Sequence, residues 1–287
     1  MREIYFPEKD KPLRDDVRVL GTLVGKMLAE QENQAFLEQV EAVRRTAIKR
    51  REGDTGAEEK LDKLLTGMDV TEAGRLVRAF TTYFQVVNLA EKVHRIRRRR
   101  DYLRRGERAQ PGGLLAVMQE LKSHSLDEVM QELNALSIEP VMTAHPTEST
   151  RRTLLEKEQM ILRRLVERLD PSRTPDQEAA ALERIRAAVT SNWQTEMYPE
   201  QRLSVKNEME HVLFYLTDVL YRVVPPFYES LLNALESNWQ DIPDRSLPSL
   251  LHFGSWVGGD MDGNPNVDAV TIRKSLQYHR RQIIKKY

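Results

Sequence analysis

The segment VMTAHPTESTRR, residues 141–152, decides the fold of this chain because it joins a strand to a helix. Residues 137–143 form a short apolar stretch with β-branched members, which predicts a buried strand. Pro146 suits the first position of a helix, since its missing N–H needs no partner there. His145 would then cap the helix at the end of the strand, which is the position of a site and not of a core residue.

A helix that begins at Pro146 would favour a bound anion, because its first N–H groups are unpaired and carry partial positive charge. Arg151 and Arg152 add two cations within about two turns, where the helix dipole disfavours them by about 0.3–1 kcal/mol. An anion would offset that cost, and an imidazole beside it could exchange protons near neutral pH. On the residues alone, a capping histidine with ordinary surface arginines remains an alternative.

A second informative stretch is FGSWVGGDMDGNPNV, residues 253–267. Four of its first eleven residues are glycine, which predicts a tight loop after a second strand candidate at 249–257. Trp256 stands at the edge of this loop. It is either a buried core residue or a wall for a small substrate.

The acidic residues of this loop superficially resemble a calcium site. The match fails because Pro265 occupies the glycine position of an EF-hand and Thr271 its glutamate position. We therefore expect turn and cap hydrogen bonds from Asp260, Asp262 and Asn264, and we assign no metal to them.

The rest of the sequence predicts a mainly α protein of long helices with a few short strands. The first helix buries one face at regular spacing, through Leu13, Val17, Leu20, Val24 and Leu28. Ser125 with Glu128, and Thr174 followed by Pro175, are helix start signals. The later helices are expected at about 147–170, 174–193, 204–224 (ending at Pro225 and Pro226), 227–239 and 268–287.

Two regions are expected: a helical region at 1–135, and the first part of a catalytic domain at 136–287 with a long helical insertion. The last helix lacks a stop signal before Tyr287. We therefore expect the chain to be truncated after residue 287.

The composition limits the class of protein. The chain of 287 residues has 44 basic and 44 acidic residues and no cysteine. Disulfides and thiol chemistry are thus excluded, and no overall charge favours nucleic acid or an anionic membrane. We find neither a signal peptide nor a run of about 18 apolar residues, so we expect a cytoplasmic protein with no nucleic-acid or membrane partner.

Arginines are concentrated at 95–108, with four in succession from Arg97 to Arg100. Such a run could bind phosphate groups. The alternative is a solvated helix end whose charges are balanced by acidic neighbours.

Both informative stretches resemble signatures of phosphoenolpyruvate carboxylases. The sequence TAHPTE at 143–148, followed by RRTL at 151–154, is similar to the segment around the family's catalytic histidine. The sequence FGSWVGGD at 253–260 with DGNPNV at 262–267 is similar to its tryptophan and glycine-rich motif. The opening LRDDVRVLG at 13–21 and the spacing of about 110 residues between the motifs also fit, so the resemblance spans nearly the whole chain. Family members often carry arginine where this chain has Met261.

The resemblance implies a carboxy-lyase that converts phosphoenolpyruvate and bicarbonate to oxaloacetate and phosphate, replenishing the tricarboxylic acid cycle. It implies that the chain is the N-terminal part of a helix-rich (β/α)8-type barrel enzyme, with His145 as a catalytic base. It further implies that Trp256, Arg151 and Arg152 bind substrate. The structural loop of the site would comprise Gly258, Gly259, Asp260, Asp262, Gly263 and Asn264.

The family also implies Mg²⁺ or Mn²⁺, with ligands expected beyond residue 287, together with allosteric control and a homotetramer of the complete enzyme. The fragment alone is expected to be inactive. The alternative function is a non-catalytic helical binding or regulatory module that uses the run from Arg97 to Arg100.

Overall fold

A computed structural model describes residues 7–106, 109–143, 152–196, 204–240, 242 and 246–287. It is mainly helical, as the sequence predicts, with two short strands in the described part of the chain. The helices are α1 Lys11–Gln31, α2 Gln34–Arg51, α3 Ala57–Thr66, α4 Val70–Arg105, α5 Leu114–Glu120, α6 Leu126–Ala135, α7 Arg152–Glu167, α8 Pro175–Trp193, α9 Val205–Phe214, α10 Tyr221–Glu236 and α11 Ala269–Ile284; the strands are β1 Val141–Met142 and β2 Gly254–Ser255.

The chain divides into two compact units. One comprises residues 1–101 and 150–197, and the other comprises residues 102–149 and 198–287. The regions predicted from the sequence, 1–135 and 136–287, concern the organisation of a complete enzyme and remain a prediction. Within the described residues, no helix is both long enough and apolar enough to cross a membrane.

The first unit is a helical bundle whose core follows the amphipathic faces read from the sequence. In α1, Leu20, Leu23, Val24, Met27 and Leu28 are buried, at the i, i+3, i+4 spacing of one helix face. The faces of α2, α4, α7 and α8 complete the same core, with Ile185 fully buried. Leu13 and Val17 lie at its edge, partly buried, so the predicted face of the first helix is confirmed.

The second unit contains both strands and two apolar clusters. One cluster is centred on Leu231, Leu235 and Leu250 and joins α10 to α5 and α6. The other includes Val257, which follows β2, and residues of α9. The first cluster therefore buries the chain just before the second strand, and the other cluster buries it just after that strand.

The predicted helix starts are confirmed by their hydrogen bonds. Thr174 caps α8 and Ser125 caps α6, each in a reciprocal capping box with the residue three positions on. In each box the side chain of the cap accepts from a backbone N–H that the helix leaves unpaired. Local chemistry is sufficient for these boundaries.

One predicted boundary is wrong. The helix expected to end before Pro225 and Pro226 instead passes through a π-helical turn, Tyr215–Leu220, into α10, which contains both prolines. Proline has a helical φ and disturbs a helix by losing one N–H and crowding the carbonyl four residues earlier. Both prolines lie in the second turn of α10, and burial of its later residues Leu231 and Leu235 holds the helix together.

Candidate functional site

The two strands are parallel neighbours, with Val141 opposite Gly254 and Met142 opposite Ser255. The last bond of the ladder runs from the N–H of Trp256 to the carbonyl of Met142, at 2.8 Å. Earlier bonds join Ile138 N to Leu250 O, His252 N to Ile138 O and Gly254 N to Pro140 O. The carboxyl ends of β1 and β2 therefore lie side by side, and each informative sequence stretch continues from one of these ends.

Gly254 permits this close pairing. A Cβ at this position would lie 3.1 Å from Oε1 of Glu139 and 3.3 Å from Cγ2 of Val141. Both distances are tighter than ordinary van der Waals contact, so a larger residue would press on the neighbouring strand.

Trp256 is 55% exposed. The alternative in which it is a buried core residue is therefore wrong for this chain. Its backbone is fixed by the bond to Met142, while its indole stands largely free at the end of β2. An exposed, anchored indole at a strand end can form one wall of a binding surface.

His145 and Arg151 lie outside the described residues, and so does the side chain of Arg152, although that residue begins α7. Their predicted roles remain predictions. What the structure adds is the location of the strand from which the histidine segment departs. His145 follows Met142 by three residues, a length of chain that spans at most about 11 Å.

The glycine-rich loop is anchored immediately after Trp256. Val257 is 2% exposed and packs in the cluster formed with α9. Gly258 has φ +77° and lies against Ser275 of α11, so close that a Cβ would stand 2.2 Å from the serine Oγ. The N–H of Gly259 donates to the carbonyl of Trp256 at 2.9 Å and closes the turn.

The polar residues of the loop make some of the turn hydrogen bonds that the sequence predicts. The carbonyl of Asp260 accepts from the N–H groups of Gly263 and Asn264, and the side chain of Asn264 accepts from the N–H of Asn266. Asp262 is exposed. Oδ1 of Asp260 is buried and has no hydrogen-bond partner in the structure, so the predicted turn bond is confirmed for the side chain of Asn264 but not for this oxygen.

Two other side chains of this region have shifted acidities. Burial raises the pKa of Glu208 in α9, and the negative charge of Asp260 raises it further. Burial lowers the pKa of His279 in α11, and its Nε2 is buried without a partner. Glu208 thus lies near the negative charge of the loop residue Asp260, where a second negative charge is unfavourable.

A divalent metal does not fit the described residues. Among them, no three His, Cys, Asp or Glu side chains come together in a group that could hold a metal ion. The metal that the family resemblance implies therefore has no ligand set in this part of the chain.

The arginine run is partly committed to ion pairs inside the first unit. Nη2 of Arg97 donates to Oδ2 of Asp16 at 2.6 Å, and its Nη1 lies 3.1 Å from Nδ1 of His94. Nη1 of Arg98 lies 3.7 Å from Oδ2 of Asp101. Arg97 and Arg98 are therefore better described as part of a helix end balanced by acidic neighbours than as a phosphate-binding surface.

Comparison with known protein families identifies the family of this chain. The profile of the family described as phosphoenolpyruvate carboxylase matches residues 13–287. The chain belongs to the phosphoenolpyruvate carboxylase family.

Its curated relatives carry the same name. The enzyme of Xanthomonas euvesicatoria pv. vesicatoria is 53% identical over 287 residues, covering 99% of this chain and 31% of the relative. That of Ralstonia nicotianae is 38% identical, covering 97% of this chain and 29% of the relative, and that of an Azoarcus species is 35% identical, covering 98% and 31%. The chain therefore spans about a third of the length of the curated relatives it matches.

Sequence reasoning missed two residues that the structure brings to the loop. Ser275 and Glu208 lie in helices, and each meets the loop through tertiary contact with a residue more than ten positions away. For Ser275 the only signal in the sequence is a small residue on an otherwise amphipathic helix. That signal does not indicate which residue packs against it.

Proposed function

We propose that this chain supplies the N-terminal part of a phosphoenolpyruvate carboxylase active site, with His145 as a catalytic base and Trp256 as an apolar wall. The complete enzyme would carboxylate phosphoenolpyruvate with bicarbonate and release oxaloacetate and phosphate. The observation that carries the proposal is the parallel pairing that ends with Trp256 N–H bound to Met142 O at 2.8 Å. Through it, the two family signatures continue from adjacent strand ends.

The location suits catalysis, because sites of parallel α/β barrels are built from loops at the carboxyl ends of the strands. Phosphoryl transfer from phosphoenolpyruvate to bicarbonate would give carboxyphosphate and the enolate of pyruvate. An imidazole there could take the proton from carboxyphosphate, which favours its breakdown to phosphate and carbon dioxide, and the enolate would then attack the carbon dioxide. The exposed indole of Trp256 would contact the methylene end of the substrate. Arg151 and Arg152 would help to hold its anionic groups.

A divalent metal, Mg²⁺ or Mn²⁺, would supply charge neutralisation for the phosphoryl group and the enolate. Its ligands would belong to a part of the enzyme beyond residue 287. The same proposal includes a cytoplasmic homotetramer as the complete enzyme.

The test is oxaloacetate formation by a full-length carboxylase that carries these 287 residues, assayed with phosphoenolpyruvate, bicarbonate and magnesium. His145→Asn should reduce the rate by at least about 10²-fold, the lower end of a general base contribution. His124→Asn, at an exposed histidine, is the matched control and should keep the wild-type rate. Normal oxaloacetate production by the His145 variant would refute the assignment.

A second assay concerns the 287-residue chain by itself. We expect no oxaloacetate from it under the same conditions, because it contributes only some of the proposed catalytic groups. Turnover by the isolated chain would contradict this part of the proposal.

A further inference from the structure

The glycine-rich loop approaches α11 more closely than a side chain on the loop would permit. A Cβ on Gly258 would lie 2.2 Å from Oγ and 3.0 Å from Cβ of Ser275. Ser275 is 5% exposed, and its hydroxyl donates to the carbonyl of Thr271 at 2.9 Å. Since that hydroxyl is engaged within the helix, the property that Ser275 offers to the loop is its small size.

The backbone connects Trp256 to this contact over a short distance. Trp256 is two residues before Gly258, and the turn between them is closed by the bond from Gly259 N–H to the carbonyl of Trp256. Val257, between them, is buried. The indole itself is more than half exposed, so its place follows from the backbone, which is held by β1 on one side and by the loop against α11 on the other.

We infer that Ser275 is a positioning residue for Trp256: its small side chain sets the distance between the glycine-rich loop and α11. Its catalytic consequence rests on the proposed function, in which Trp256 forms the wall for the methylene end of the substrate. Ser275 itself touches no substrate. A bulkier residue at 275 would lift the loop and displace the indole, whereas a smaller residue would leave the loop in place.

The position of the indole can be read directly in the 287-residue chain labelled with 5-fluorotryptophan. In Ser275→Val, the fluorine resonance of Trp256 should move while those of Trp193 and Trp239 stay in place. Ser275→Ala should leave all three unchanged. The matched control is Lys274→Val, the same substitution at the neighbouring exposed position of α11, and it should also leave Trp256 unchanged.

If valine at 275 disturbs all three resonances, Ser275→Thr, which adds a single methyl group, decides the question. A Trp256 resonance that stays unmoved in the folded valine or threonine variant would overturn the inference. So would a shift of equal size in the alanine variant, because removal of the hydroxyl would then matter and size would not.

The consequence for activity is measured in a full-length carboxylase that carries this segment. Ser275→Val should raise the KM for phosphoenolpyruvate about tenfold, equivalent to about 1.4 kcal/mol, with a much smaller change in kcat. Ser275→Ala should keep the wild-type KM. A merely structural role would lower the amount of active enzyme, and hence kcat, without changing KM.

The two proposals fail in different ways. A wild-type enzyme without oxaloacetate production would refute the proposed function, while the fluorine result would still report on positioning. An active wild type whose Ser275→Val variant keeps the same KM would overturn the positioning role alone.

Discussion

Replacing Gly258 by alanine tests the packing of the glycine-rich loop most sharply. At φ +77° a residue with a Cβ pays about 1–2 kcal/mol for the left-handed conformation. The added methyl group would also meet Ser275 at 2.2 and 3.0 Å, and such overpacking costs about 1–3 kcal/mol. The sum predicts that Gly258→Ala lowers the free energy of unfolding of this region by about 2–5 kcal/mol.

The assay is amide hydrogen exchange of peptides from α11 and the loop, because exchange reports local opening within a chain that has two compact units. Gly263→Ala is the matched control in the same loop, since a Cβ added there would have nothing within 4 Å and its φ is not positive. We expect it to change the free energy of opening by no more than about 0.5 kcal/mol.

A double variant separates the two causes. Adding Ser275→Gly to Gly258→Ala removes the atoms that collide, so it should recover the overpacking part of the loss but not the backbone part. The glycine in α11 costs about 1 kcal/mol on its own, which the single variant Ser275→Gly measures. Equal exchange protection in Gly258→Ala and Gly263→Ala would refute the reasoning.

Two further predictions concern charge. The pKa of Glu208 is raised in the folded chain, by burial first and by Asp260 second. The stability that this shift contributes is therefore full below the ordinary carboxyl pKa of 4.5 and is lost as pH rises through the folded value. Glu208→Gln should accordingly unfold at higher urea concentration than the wild type at pH 8, and this advantage should disappear near pH 4; an equal advantage at both pH values would contradict the assignment. In the first unit, Arg97→Gln removes a 2.6 Å charged hydrogen bond to Asp16, whose side chain is 13% exposed, and should cost about 1.5–3 kcal/mol in urea unfolding. Arg100→Gln, at an exposed position, should cost less than about 0.5 kcal/mol, and equal losses in the two variants would argue against the ion pair.

The predictable part of the fold is the part that depends on local chemistry. Thr174 and Ser125 each satisfy an N–H only three residues away, so their helix starts can be read from the sequence. The apolar residues of α1 repeat with the period of a helix, so its buried face can also be predicted from the sequence. The strands β1 and β2 could be located, although the prediction that the first is buried is wrong, since Val141 is 44% exposed. Their pairing joins residues more than 100 positions apart, and single-sequence periodicity carries no information on such partners.

One error and two questions that the sequence left open have the same origin. Pro225 and Pro226 are strong local signals for a helix end, yet the buried residues later in α10 outweigh them. The sequence left open whether Trp256 is buried or exposed, because an indole suits both environments. The sequence also left open whether the run from Arg97 to Arg100 is balanced by acidic neighbours, because Asp16, the partner of Arg97, lies in another helix.

The central claim is that the histidine segment and Trp256 serve one substrate. Its most direct test is the dissociation constant of phosphoenolpyruvate, measured by calorimetry without bicarbonate on a full-length carboxylase that carries this segment and His145→Asn, which should slow turnover by at least about 10²-fold. We predict that this variant still binds phosphoenolpyruvate, and that adding Trp256→Ala weakens binding about tenfold or more. An unchanged dissociation constant after loss of the indole would contradict the account.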